Sequence, residues 1–78
     1  MLVEVRVKPK DVVLDPQGEA IRRVLNNLGY KEVTGVRVGK LMLLEVEGDD
    51  PKVVRGRVEA ACLEVLSNPV IEDFEVRL

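Results

Sequence analysis

Residues 2–8 alternate without a break, with Val3, Val5 and Val7 on one side and Glu4, Arg6 and Lys8 on the other. That period of two predicts a half-buried strand. Pro9 ends it, and a loop is predicted over residues 10–16. Asp15-Pro16 opens a helix, with Asp as N-cap and Pro at the first helical position. Ala20, Ile21, Val24, Leu25 and Leu28 then follow the spacing of an amphipathic helix, and Gly29 sits where a glycine C-cap belongs. Residues 33–38 turn β-branched again, Gly39-Lys40 reads as a turn, and residues 41–47 form a second strand, so the pair is predicted as a hairpin. Met42, Leu44 and Val46 make one row of that second strand, while Leu41 and Leu43 make the other apolar too. Asp50-Pro51 repeats the helix-start signal, and Val54, Val58, Ala61, Cys62, Val65 and Leu66 make one stripe of a second helix. Ser67-Asn68-Pro69 stops it, and residues 70–78 form a last strand in which Phe74, Val76 and Leu78 alternate.

The order β-α-β-β-α-β predicts a single two-layer α+β plait over residues 1–78, with two helices packed on one face of an antiparallel sheet. Strand order stays open at this level, and a strand can be exchanged with a partner chain. If successive strands alternate in direction, three connections meet at one end of the sheet: the 10–16 loop, the 38–40 hairpin and the 67–70 turn. Loops gathered on a rigid scaffold make a plausible docking surface.

Composition sharpens this picture. A chain of 78 residues buries too little surface to be more than marginally stable alone, and domains of this size usually add disulfides, a metal or a partner. Cys62 is the only cysteine and there is no histidine, so neither an intramolecular disulfide nor a zinc site of ordinary spacing is available. Association with another chain is the expected source of extra burial. The apolar row of Leu41 and Leu43 would otherwise lie on the open face of the sheet, which points to a homodimer or higher assembly. A net charge of −2 argues against nucleic acid, and Tyr30 and Phe74 alone cannot build the stacking platform of an RNA reader. No apolar run reaches the length of a membrane span and strand-like sequence begins at Leu2, so a cytoplasmic protein is expected.

Candidate chemistry is sparse. Cys62 falls on the apolar stripe of the second helix and reads as an inert core residue. Gly35-Val36-Arg37-Val38-Gly39-Lys40 is one residue short of a phosphate loop, lacks Ser or Thr after the lysine, and does not precede a helix. Asp15 and Asp50 are N-caps, Asp11 and Asp49 solvated loop residues, and Glu72-Asp73 either a solvated edge or a docking contact.

Three pentapeptides nonetheless resemble one family. Leu14-Asp15-Pro16-Gln17-Gly18 is similar to the signature that opens the first helix of PurS proteins, Val36-Arg37-Val38-Gly39-Lys40 to their hairpin, and Val70-Ile71-Glu72-Asp73-Phe74 to the start of their last strand. The resemblance spans essentially the whole chain. It implies a PurS-like plait related to the ferredoxin-like fold. It also implies a non-catalytic subunit of a three-part purine-pathway enzyme, in which a PurQ-like glutaminase releases ammonia. A PurL-like, ATP-dependent synthetase then uses that ammonia to convert formylglycinamide ribonucleotide to its amidine. The small subunit bridges the two and assists ammonia transfer. No cofactor is expected in it; ATP and magnesium belong to the large subunit. Gln17, Arg37 and Lys40, within those motifs and at the loop-rich end, are the expected partner contacts, and Leu41 and Leu43 the expected dimer contacts. The alternative is a dimeric regulatory plait that binds an amino acid.

Overall fold

The computed structural model describes residues 1–11 and 14–78; the middle of the predicted 10–16 loop lies outside them. The alternation at the start of the chain becomes the central strand of the sheet, β1 (Leu2–Pro9). It is flanked by β2 (Lys40–Glu45) and β3 (Glu72–Arg77) in the order β2-β1-β3, both antiparallel to it. Val3, Val5 and Val7 are buried, and their partners across the ladder put Met42 and Leu44 on one side and Phe74 and Val76 on the other. On the opposite face the β1–β3 register sets Glu4 beside Arg77, Arg6 beside Glu75 and Lys8 beside Asp73. A one-residue slip would undo these opposite-charge pairs and the burial of the valines together.

Helix α1 (Pro16–Asn27) and helix α2 (Pro51–Ala61) start as the sequence predicts, each on an aspartate cap followed by proline. Past α1, Gly29 takes a φ of 106°, and Tyr30 N–H donates to the Leu25 carbonyl at 3.0 Å, a Schellman-type end. Helix α2 runs into one wide turn over Cys62–Leu66, closed where the Ser67 N–H and hydroxyl both donate to the Cys62 carbonyl, at 3.0 and 2.9 Å. Val54, Val58 and Cys62 lie over Val3, Val5, Val7 and Val76, and these seven side chains are the core among the described residues.

The α+β class and the antiparallel sheet are as predicted, but two features of the expected plait are absent. Residues 33–38 form no strand and no hairpin with β2; the sheet has three strands among the described residues. A two-residue hairpin turn needs positive φ at its centre, and Gly39 does not have it: only Gly29 and Gly48 do. Gly39 instead passes so close to β1 that a β-carbon there would lie 2.5 Å from the Val7 carbonyl oxygen. The chain therefore runs straight past the end of the sheet before entering β2.

The second absence follows from the first. Helix α1 does not cover the sheet, and its stripe takes no part in the core: Ile21, Val24 and Leu28 stay exposed, and Gly18 is its only buried residue. Met42 and Leu44, on the half of the sheet that α1 was expected to shelter, are only partly buried. The shape records this. The radius of gyration is 15.9 Å and the long dimension 49 Å, against about 11.5 Å expected for the radius of a compact domain this long. The accessible surface of 5891 Å² exceeds by about 1,200 Å² what a compact monomer of this mass presents.

Because the core is so small, each valine in it matters. Val5→Ala should lower the unfolding free energy by about 2 kcal/mol, two buried methyl groups plus part of the cavity they leave, read from the urea midpoint at constant protein concentration.

Candidate docking surface

β1 ends at Pro9, β2 begins opposite Val7, and β3 begins opposite Pro9. The entrance to the 10–16 loop, the 38–40 segment and the 67–70 turn therefore share one end of the sheet, as the topology argument predicts. Lys10 N–H donates to the Ile71 carbonyl there at 2.8 Å, and Asn68 N–H to the Glu72 carboxylate at 2.7 Å.

The organising residue at this end is Asp15. Its Oδ1 accepts from Gly18 N–H at 2.9 Å, the ordinary N-cap bond, and its Oδ2 accepts from Val38 N–H at 2.8 Å. These donors, Val38 first and Gly18 second, hold the carboxyl below the usual Asp range. Between them the backbones nearly touch: a β-carbon on Gly18 would lie 2.1 Å from the Val36 carbonyl oxygen. Arg37 donates to the Lys10 carbonyl at 3.4 Å and also to that of Asp11.

At the far end of α1 the same lacing recurs. Asn26 donates to the carbonyls of Tyr30 and Val33 at 2.9 and 3.0 Å. Its own Oδ1 accepts from Arg22 at 2.7 Å, and Arg22 in turn holds Glu19 through two nitrogens, its Nε at 2.9 Å. That pairing lowers the Glu19 pKa. Residues 33–38 thus run antiparallel along α1, tied to it at both ends by side-chain-to-backbone bonds. The lengths match: the five steps from 33 to 38 reach about 16 Å as extended chain, as do the helical rises from 15 to 26.

The predicted contact residues fall into this setting unequally. Gln17 is exposed in the first turn of α1 and Lys40 is exposed at the first position of β2. Arg37 is exposed too, but its guanidinium is occupied with the 10–11 carbonyls. Leu41 and Leu43 are 60% and 64% exposed on the open face of the sheet. A shallow cleft of about 470 Å³ lies between Leu14, Asp15, Pro16, Glu19, Gly35 and Arg37, and its three charged residues, Asp15, Glu19 and Arg37, are already engaged within the chain. Among the described residues no group of three or more His, Cys, Asp or Glu could hold a metal ion, and no helix is long and apolar enough to cross a membrane. Cys62 is buried in the core, and that burial, with Glu59 nearby, pushes its thiol pKa up.

The second bond of Asp15 and both ties of Asn26 are invisible to a reading by hydrophobic period. One signal for them exists. Glycine at the third helical position lowers helix propensity, and Gly18 stands there because another backbone passes over it.

The fold and this end define a small α+β protein with an uncovered apolar helix stripe and an end built from loops. The chain belongs to the PurS family, described as phosphoribosylformylglycinamidine (FGAM) synthase, which matches it over residues 2–78. The PurS subunit of phosphoribosylformylglycinamidine synthase from Bacillus subtilis is 43% identical over 72 residues, 92% of this chain and 84% of that protein. That from Methanocaldococcus jannaschii is 39% identical over 72 residues, covering 92% and 87%. A chain in the solved structure of PurLQS from Thermotoga maritima is 39% identical, with a TM-score of 0.84 over 99% of this chain and 96% of that one.

The depressed Asp15 pKa gives a pH signature. The folded value lies below the unfolded one, so the stabilisation is complete above the ordinary Asp pKa of about 4 and is lost as pH falls through the folded value. By amide exchange, the protection factor of Val38 should stay flat from neutral pH to about pH 5 and fall only in stronger acid. Asp15→Asn should abolish that dependence.

Proposed function

We propose that the chain is the small, non-catalytic subunit of FGAM synthase, joining a PurQ-like glutaminase to a PurL-like, ATP-dependent synthetase and assisting ammonia transfer between them. The observation that carries the reading is the match to a chain of PurLQS over nearly the full length of both. The side-chain inventory supports the non-catalytic part: there is no histidine to serve as a base, and the one thiol is buried with a raised pKa. ATP and magnesium are then handled by the synthetase, and the complex works in the cytoplasm. Gln17 and Lys40 meet a partner at the loop end, and Arg37 braces that end from within as well as lining it.

Self-association completes the reading. The uncovered stripe of α1, the half-sheltered row of Met42 and Leu44, and the exposed Leu41 and Leu43 together call for a second copy, with α1 of each chain laid against the other. The excess surface of about 1,200 Å² per chain suits an obligate interface.

Purified alone, the chain should hydrolyse neither glutamine nor ATP; added to the other two subunits, it should be required for glutamine-driven amidine formation. Glutamine hydrolysis that persists in Cys62→Ala, or full turnover without the chain, would contradict the reading. Leu43→Glu should weaken self-association, because a carboxylate without a partner resists burial; sedimentation velocity should show the wild type as a dimer or larger and the variant shifted toward monomer.

A further inference from the structure

Among the described residues, helix α1 gives no apolar side chain to the core beneath the sheet, yet it leaves the sheet in one direction. Among the described residues, its direction is set by polar bonds and close backbone contacts. From the functional residues outward, Asp15 ties α1 to Val38, Asn26 ties it to Val33, and the segment between them is seated at Gly39 against the Val7 carbonyl. We infer that Asp15 and Asn26 are positioning residues for glutamine-driven turnover: they clasp residues 33–38 onto α1, so that the helix is presented to the rest of the assembly at one fixed angle. This rests on the bridging role proposed above, and it assigns Asp15 and Gly18 of the first signature pentapeptide an internal task beside the partner contact of Gln17.

The two clasps use opposite chemistry, and this makes them separable from ordinary helix stability. Asp15 receives two N–H donors on two oxygens. An asparagine or serine there still caps the helix, since Asn, Asp and Ser are near-equal N-caps. Asn presents an NH2 group to one of the two donors, and Ser has one oxygen where two are needed. Asn26 works the other way, giving its amide hydrogens to two carbonyls; aspartate at 26 keeps the acceptor for Arg22 and loses both donors. Gly18 completes the device, because any side chain there meets the Val36 carbonyl.

The experiment reconstitutes the three-subunit complex and titrates this chain into the other two, with turnover driven by glutamine in one series and by ammonium chloride in the other. For Asp15→Asn, Asp15→Ser and Asn26→Asp, the concentration giving half-maximal glutamine-driven turnover should rise by about tenfold, the scale of one lost hydrogen bond to a charged group at Asp15 and of two lost neutral ones at Asn26. Ammonium-driven turnover and helix content by circular dichroism should match wild type. Superimposable titration curves, or equal losses in both series, would overturn the inference. Should the variants fail to fold, amide exchange in the wild-type complex decides instead: Val38 N–H protected like the first-turn amides of α1 supports the clasp, and free exchange refutes it. If omitting the wild-type chain leaves glutamine-driven turnover unchanged, the bridging role fails, and the clasp is still judged by Val38 exchange.

Discussion

Between the end of the first strand and Gly39 there is no room for a β-carbon, and much of the molecule's form can be traced to that contact. A chain pressed against the Val7 carbonyl, with ordinary negative φ at the glycine, cannot double back into a tight hairpin. It enters the second strand from beyond the sheet and brings residues 33–38 in from outside. Helix α1, bound to that segment at both ends, is held outside as well. The sheet is left with one helix on its inner face, a core of seven side chains among the described residues and a row of half-sheltered residues on β2. A small steric fact thereby converts a two-layer plait into an open shape in which the apolar stripe of α1 stays exposed.

Two kinds of cohesion divide the molecule. The sheet and α2 are held by apolar burial, with Val5 and Cys62 at the centre and fully enclosed. The outlying helix and its companion segment are held by hydrogen bonds between side chains and backbone, with apolar residues facing outward. Water competes with bonds of the second kind, so each contributes modestly; several along one helix nonetheless define an orientation well. Arrangements of this sort fix a helix while leaving its apolar residues, here Ile21, Val24 and Leu28, on the surface.

The readability of the sequence divides along the same line. Strands β1 and β3, both helix starts and the stop at Ser67 were legible, because apolar period, proline and cap residues report directly on local geometry. The gathering of three connections at one end followed from strand direction. The hairpin was misread because Gly39-Lys40 carries the composition of a turn while its glycine serves a close approach; composition does not distinguish these two uses. The packing of α1 was misread because amphipathicity shows that a helix will be covered, and is silent on which chain covers it. The clasp residues left almost no trace. Asp15 was legible as a cap, but its second oxygen serves a residue 23 positions later.

The order of the strands in space has a further consequence, for biosynthesis. Of the three strands, the central one is made before both of its neighbours, with Glu72–Arg77 following Lys40–Glu45. Helix α1 and its lacing span at most the 23 positions from Asp15 to Val38 and can form while translation continues, whereas the ladder from Glu4 to Arg77 closes a far longer loop. Val3, Val5 and Val7 therefore emerge from the ribosome well before the strand that completes their shelter. For that interval the nascent chain carries a bare apolar strand with both edges unoccupied, the kind of segment that chaperones shield and that aggregates when left alone.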